Sequence, residues 1–268
     1  MPRPDAASLE VFRLSVPAMA TDGLPADVLA EPPVQLVRLT PARASQHYLL
    51  LRLGGLDALA SSLAGNWAAT RMTLAAVRRN LVSCGMHTHV GHISATAQAW
   101  AAMGFSRRQG RLALERLRQA PTLVKIERSA RLGWLRVAAL PEAERLVVYH
   151  KSTAPADPEL GAFLPVNLHG LDGLASLLGH NHAAIRIGLR ACRRAALPGR
   201  WAPGVPLTAE LLAGMGVSAQ GLRTALTALS ACNLFEVERS ANHPARVLAQ
   251  PGAIKLLRAT SPTEPLPR

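Results

Sequence analysis

A chain of 268 residues has room for two ordinary domains, each burying its own core. Thirty Lys and Arg against seventeen Asp and Glu give a formal charge of +13 and a pI near 11.3, a balance that suits a polyanionic partner such as nucleic acid. Three cysteines in apolar settings exclude a disulfide framework, no stretch is apolar and long enough to span a bilayer, and four Trp, two Tyr and four Phe are few for a protein that stacks single-stranded bases.

Residues 1–33 hold several prolines and little periodicity, so they read as a flexible arm, with the ordered chain expected from about Val34. Leucine and alanine spacing then predicts two helices, near Gly55 to Ala64 and Ala68 to Leu81. They read as a hairpin completing a helical core rather than as a degenerate helix-turn-helix, because no hairpin of strands follows Leu81. Arg71, Arg78 and Arg79 form a basic stripe on the second of them, able either to touch a nucleic-acid backbone or to lie solvated with its stems on the core edge. After it comes CGMHTHVGH at 84–92, whose Cys84, His87, His89 and His92 could converge on zinc. No metal and no cofactor are expected, because only one cysteine is present and no second ligand pair lies nearby.

From Ala95 to Met103 apolar residues recur at helical spacing and stop at Gly104, a residue able to take the left-handed conformation that ends a helix. Ser106 can cap a second helix, for which Leu112, Leu114 and Leu117 supply a buried side and arginines the rest. Pro121 stops that helix. Leu123, Val124 and Ile126 then alternate with polar residues into a basic corner at 128–133 and a return strand from Trp134 to Val137. The order of parts resembles the bacterial winged helix-turn-helix DNA-binding superfamily, through Met103-Gly104-Phe105-Ser106, the amphipathic helix after it and Ile126-Glu127-Arg128-Ser129. The resemblance implies that the second helix enters the major groove, with Ser106, Arg107, Arg108, Gln109 and Arg111 at its reading end. Arg can pair bidentately with guanine and Gln with adenine. Lys125, Arg128, Arg131 and Arg136 would meet phosphates or a minor groove from the corner and its strands. A solvated helix face is the plainer reading of the same arginines.

Much of this recurs. LGGLDALASSL at 53–63 is mirrored by LHGLDGLASLL at 168–178, Arg71, Arg78 and Arg79 by Arg186, Arg193 and Arg194, and Met103-Gly104-Phe105-Ser106 by Met215-Gly216-Val217-Ser218. The chain therefore reads as a tandem duplication. The expected layout is a first unit at 34–140, a linker at 141–160 with a strand near Leu146 to Tyr149, a second unit at 161–260, and a disordered tail at 261–268. The second zinc-region counterpart, PGRWAPGVP at 198–206, has no ligand, which weighs further against a metal. Arg190 joins the second copy's basic stripe, and His180 and His182 read as loop or cap residues. The second reading helix is milder, offering Ser218, Gln220, Arg223 and Thr224, with Arg239, His243 and Arg246 on its corner. The first unit should thus be the stronger phosphate binder.

No Gly-rich phosphate loop, no nucleophile elbow and no paired carboxylates at metal spacing occur, and Tyr48 and Tyr149 read as core residues, so no enzymatic activity is expected. The expectation is a mainly α fold with small β-hairpin wings: two tandem winged helix-turn-helix domains, each preceded by extra helices, in a cytoplasmic bacterial or mobile-element protein. Its partner would be double-stranded DNA, with no membrane and with further homodimerisation open. Transcription regulation is the leading role, against a plasmid-type replication initiator or a winged-helix protein-interaction scaffold. Head-to-tail joining of diverged copies points to an asymmetric or direct-repeat target.

Overall fold

A computed structural model describes residues 48–83, 92–129, 133–148, 163–196 and 204–258, within a compact unit that runs from Val37 onward. The expected arm at 1–33 and tail at 261–268 lie outside the described residues. The first copy comprises β1 (Tyr48–Arg52), α1 (Leu53–Ser62), α2 (Trp67–Ser83), β2 (His92–Ser94), α3 (Ala97–Ala102), α4 (Arg107–Arg118), β3 (Val124–Arg128), β4 (Leu135–Ala139) and α5 (Pro141–Val147). The second repeats that order as β5 (Phe163–Asn167), α6 (Leu168–Leu177), α7 (His182–Ala195), β6 (Val205–Pro206), α8 (Ala209–Gly214), α9 (Ala219–Ala231), β7 (Phe235–Glu238), β8 (Arg246–Ala249) and α10 (Pro251–Arg258). The fold is mainly helical with small antiparallel sheets, and no described helix is long and apolar enough to cross a membrane.

The central helix of each copy is buried on nearly every side. In α2, Trp67, Ala69, Met72, Leu74, Ala76 and Val77 are buried, and the hydroxyls of Thr70 and Thr73 donate back to the carbonyls of Asn66 and Ala69 at 3.0 Å, so that no hydroxyl is stranded. Asn66 caps α2 by accepting from the Ala69 N–H at 2.9 Å, and Asn181 caps α7 from Ala184 at 3.0 Å. Helix α2 packs on β4 and α4, as α7 packs on β8 and α9. The three-stranded sheets have matching orders, β2-β4-β3 and β6-β8-β7. Helices α1 and α2 are therefore not a free-standing hairpin: α2 is the core of its copy, while α1 packs on α5 and on α7 of the other copy.

The stretch expected as a linker from residue 141 opens as α5, with Pro141 at the first helical position and Glu142 and Glu144 in the first turn, where acids favour a helix start. Among the described residues of that expected strand, Leu146 and Val147 close α5 and Val148 forms a lone bridge to Leu51, while Tyr149 lies outside the described residues. Helix α5 can close on α1 because Gly55 has no side chain, since a Cβ there would lie 1.6 Å from the Leu146 carbonyl oxygen. Its counterpart Gly170 admits α10 in the same way, with the Leu256 oxygen at 2.1 Å from a Cβ position.

The two copies are related by a twofold axis. In the β1–β5 ribbon Tyr48 pairs with Asn167 and Arg52 with Phe163, while Leu50 faces Pro165 in the middle. Because Tyr48 corresponds to Phe163 and Arg52 to Asn167 in the repeat, one end of the ribbon is the image of the other. The expected head-to-tail relation of the units is thus replaced by an isologous one. Beyond the ribbon the same symmetry sets two buried ion pairs. Arg71 grips Asp172 bidentately, Nε–Oδ1 2.6 Å and Nη2–Oδ2 2.8 Å, and its counterpart Arg186 meets Asp57 at 3.1 Å. Asp57 also takes a hydrogen bond from Arg190, a residue that replaces Ala75 of the first copy.

The basic stripe of the sequence is thereby reassigned. Arg71, Arg186 and Arg190 are spent on carboxylates, Arg193 lies over the Phe163 ring at 5.4 Å, Arg194 donates to the Gly204 carbonyl at 3.1 Å, and Arg78 is buried, leaving Arg79 exposed. Asp57→Ala would leave Arg186 buried without its counter-ion, at an expected cost of about 3–5 kcal/mol in denaturant-induced unfolding. Arg190→Ala removes the more exposed of the two partners and should cost less. An Asp57→Ala loss below about 1 kcal/mol would show that this pair does not fasten the two copies.

Candidate nucleic-acid interface

The candidate surface is built from a pair of helices joined by a tight turn and a strand hairpin beside them, present once in each copy. Thr96 caps α3 by accepting from Ala99 N–H at 3.2 Å, and the chain then turns through Gly104 at φ +80°, where a side chain would be strained. Phe105 plugs the turn into the core, against Trp100 at 6.3 Å between ring centroids. In the second copy Thr208 caps α8, Gly216 turns at φ +61°, and Ser218 caps α9 by accepting from Gly221 N–H at 3.1 Å.

Ser106 caps α4 as expected, and Gln109 completes a capping box. Ser106 Oγ accepts from Gln109 N–H at 3.2 Å, and Gln109 Oε1 accepts from Ser106 N–H at 2.8 Å. Gln109 is thus folded back on its own helix start, its Oε1 engaged by the Ser106 N–H.

Helix α4 buries Gly110, Ala113 and Leu117, with Leu114 half-buried. These positions follow the helical repeat, and Gly110 is required because a Cβ would stand 2.7 Å from the Trp100 ring. Leu112 falls off that face. Expected in the core, it is 47% exposed, at the rim of a shallow cavity it shares with Phe105 and Gln109. Arg107, Arg108 and Arg111 are exposed and free of ion pairs among the described residues, and Arg116 and Arg118 continue the charge to the helix end.

Beside α4, the β3–β4 hairpin is closed by Ser129 N–H to Trp134 O at 2.9 Å and by Gly133 at φ +71°. Arg128 is exposed and donates from Nε to the Gly133 carbonyl at 3.2 Å, which holds its guanidinium at the base of the corner. Arg131 lies outside the described residues. Lys125 pairs with Glu127 at 2.5 Å, and Arg136 stands opposite Glu127 across the strands. The Lys125 hydrogen bond holds the Glu127 carboxyl below its usual range, so these two cations are partly compensated where Arg128 is not.

The second surface carries less charge. Arg223 is the one cation of α9, and Gln220 and Thr224 are exposed beside it, the Thr224 hydroxyl lying 3.0 Å from the Gly221 carbonyl to which it donates. Arg239, His243 and Arg246 are exposed around the β7–β8 hairpin, but Arg246 faces Glu238 across the strands and Glu236 stands exposed nearby.

Contacts across the axis reach these surfaces. Arg186, while bound to Asp57, donates to the Met215 carbonyl at 2.8 Å, in the turn before α9. His180, in a left-handed turn at φ 56°, packs on Phe105 of the other copy with ring centroids 5.0 Å apart. His182 is the first residue of α7 and lies against Trp67 at 5.6 Å. Burial, helped by the Arg186 charge, pushes its imidazole down to about 3. Burial lowers His180 too, while Asp172 pulls it upward. Of the zinc-like cluster only His92 is described, on β2; Cys84, His87 and His89 lie outside, and no group of three metal-ligating side chains occurs among the described residues. Tyr48 is half-buried at the ribbon end, its hydroxyl donating to the Arg258 carbonyl at 2.6 Å, and so takes a structural place.

Comparison with protein-family models, with curated proteins and with solved structures gave no match.

The His182 position predicts a pH dependence. Its pKa is lower folded than unfolded, so the unfolded chain binds the extra proton, and the stability His182 permits near neutrality is lost as pH falls from about 6.5 toward 3. His182→Phe keeps a ring against Trp67 and removes that proton. Between pH 7 and pH 5, urea titration should show the wild type losing more stability than the variant, whereas parallel losses would mean that His182 is not held neutral.

Proposed function

We propose that the chain is a sequence-specific double-stranded DNA-binding protein, a transcription regulator built from two winged helix-turn-helix units on a covalent pseudo-dyad. The observation that carries the reading is α4: a capped helix after a tight glycine turn, with Arg107, Arg108 and Arg111 exposed and unpaired on its outer side and Arg128 exposed on the adjoining hairpin. A helix held at its N-terminal turns and armed there with arginines suits entry into the major groove, where Arg pairs with guanine O6 and N7. The second unit repeats the arrangement with Gln220 and Arg223. A protein-binding scaffold would need an apolar face at this place; four uncompensated guanidiniums favour phosphates and bases instead.

The twofold relation of the units changes the form of target expected. Two reading helices exchanged by a dyad meet the duplex in opposite directions, so the half-sites should be inverted. They should also be unequal, because Arg107 and Arg108 are replaced by Ala219 and Gln220. An imperfect inverted repeat, filled by one chain, is the site that fits.

Selection of the full chain on random duplex DNA at near-physiological salt, with excess competitor, tests this. The expected product is one enriched motif with two inverted, dissimilar halves. Arg107→Ala and Arg108→Ala should each cost about 1–3 kcal/mol of base discrimination if they read bases, or reduce the salt slope by about one if they meet phosphate. Binding that selects nothing and vanishes with modest added salt would defeat the proposal, and a motif of two direct repeats would defeat its geometry.

A further inference from the structure

We infer that Leu112 and Thr224 are a matched pair of specificity residues, each receiving the C5-methyl group of a thymine in its half-site; the inference rests on the DNA-reading proposal above. Leu112 is a large apolar side chain, 47% exposed, on the side of α4 away from the core, where its exposed neighbours one turn away are Arg108, Gln109, Glu115 and Arg116. Water gains nothing from such a side chain, and α4 already has its core contacts through Gly110, Ala113 and Leu117. A leucine one residue beyond Arg111 and one turn beyond Arg108 stands among the side chains that would meet base edges. The apolar group that a base edge offers in the major groove is the thymine methyl.

The second copy supplies an independent observation. Aligning Leu117 with Leu229 and Ala113 with Ala225 puts Thr224 at the place of Leu112 and Arg223 at that of Arg111. Thr224 could have offered a hydroxyl donor to a base. Its hydroxyl instead donates to its own helix, 3.0 Å from the Gly221 carbonyl and 3.3 Å from that of Gln220. With the donor spent, the exposed part of Thr224 presents a methyl. Thr227 is tied down in the same way, to the Arg223 carbonyl at 3.0 Å. Both reading helices thus pair one arginine with one apolar contact group at adjacent positions, although nearly every other exposed residue has diverged. The half-sites are expected to share a thymine beside the base that Arg111 or Arg223 reaches.

Thymine-to-uracil exchange deletes that methyl and leaves base pairing intact. In the motif enriched by the full chain, each thymine is replaced in turn by deoxyuridine and the affinity measured at fixed salt. One thymine in each half-site should show a loss of about fourfold, the worth of burying a single methyl group. Leu112→Ala should abolish the uracil sensitivity of the half-site under α4 and preserve that of the other. Thr224→Ser, which removes only a methyl, should do the reverse. If every thymine tolerates uracil while specific binding persists, or if the variants keep wild-type thymine-to-uracil ratios, the inference fails and the DNA-reading proposal stands. If the selection yields no motif, both fall together.

Discussion

Two carboxylates largely withdrawn from water, the buried Asp57 and the half-buried Asp172, hold this molecule in its shape. A charged side chain taken out of water costs several kcal/mol, and an aspartate in the leucine-rich α1 or α6 is tolerable only if a cation is brought to it. That cation comes in each case from the central helix of the opposite copy, Arg71 to Asp172 and Arg186 to Asp57. Each copy therefore carries half of two ion pairs and cannot complete either alone. Apolar burial across the axis drives the halves together without fixing their register, whereas a bidentate arginine fixes distance and angle. The antiparallel ribbon of β1 and β5 imposes the same dyad on the backbone, so side-chain and main-chain constraints agree.

A duplication arranged in this way is free to diverge on its outside. Glycines that admit α5 and α10, asparagine caps before α2 and α7, and turn glycines before α4 and α9 are kept in both copies, because each answers a steric or hydrogen-bonding demand. Differences gather on the exposed sides of α4 and α9, where no packing partner objects: Arg107, Arg108 and Glu115 stand against Ala219, Gln220 and Thr227. The lock itself has drifted, with Asp57 gaining Arg190 while Asp172 is paired with Arg71. Shared internal residues and unshared external ones are compatible with the proposed reading of two unequal half-sites from one frame.

Much of the architecture was legible from local patterns: the two copies, the central helices, the turn glycines, the Ser106 and Ser218 caps and both hairpins. What failed needed information from the other copy or from helix phase. Arg71 and Arg186 look like solvated arginines on an amphipathic helix, since their partners are some hundred residues away. The available signal was the pair of aspartates, acids kept at one position of an otherwise apolar repeat in a chain poor in acids. Leu112, Leu114 and Leu117 do not share one face of α4, because the buried face is set by Gly110, whose lack of a side chain lets Trp100 approach. The capping box that holds Gln109 has a readable pattern, Ser-x-x-Gln at a helix start. The start of α5, Pro-Glu-Ala-Glu, carried a similar signal and was overshadowed by the prolines that follow.

The lock and the candidate interface are also one network. Arg186 binds Asp57 across the axis and the Met215 carbonyl in the turn before α9, so the guanidinium that joins the copies also holds the turn that leads into α9. On the other side His180 of the second copy packs against Phe105, the residue between the turn glycine and the cap of α4. Each reading helix is thus positioned in part by a residue on α7 or on the turn just before it, and neither can tilt without disturbing a buried contact at the axis. Under the proposed DNA-reading function, this replaces the adaptability of a loosely associated dimer with a single spacing of α4 and α9. Preorganisation of that kind reduces the ordering cost of binding and penalises targets with a wrong half-site separation. In that proposed function, discrimination by spacing comes from the interior of the protein, and discrimination by sequence from the few exposed side chains of α4 and α9.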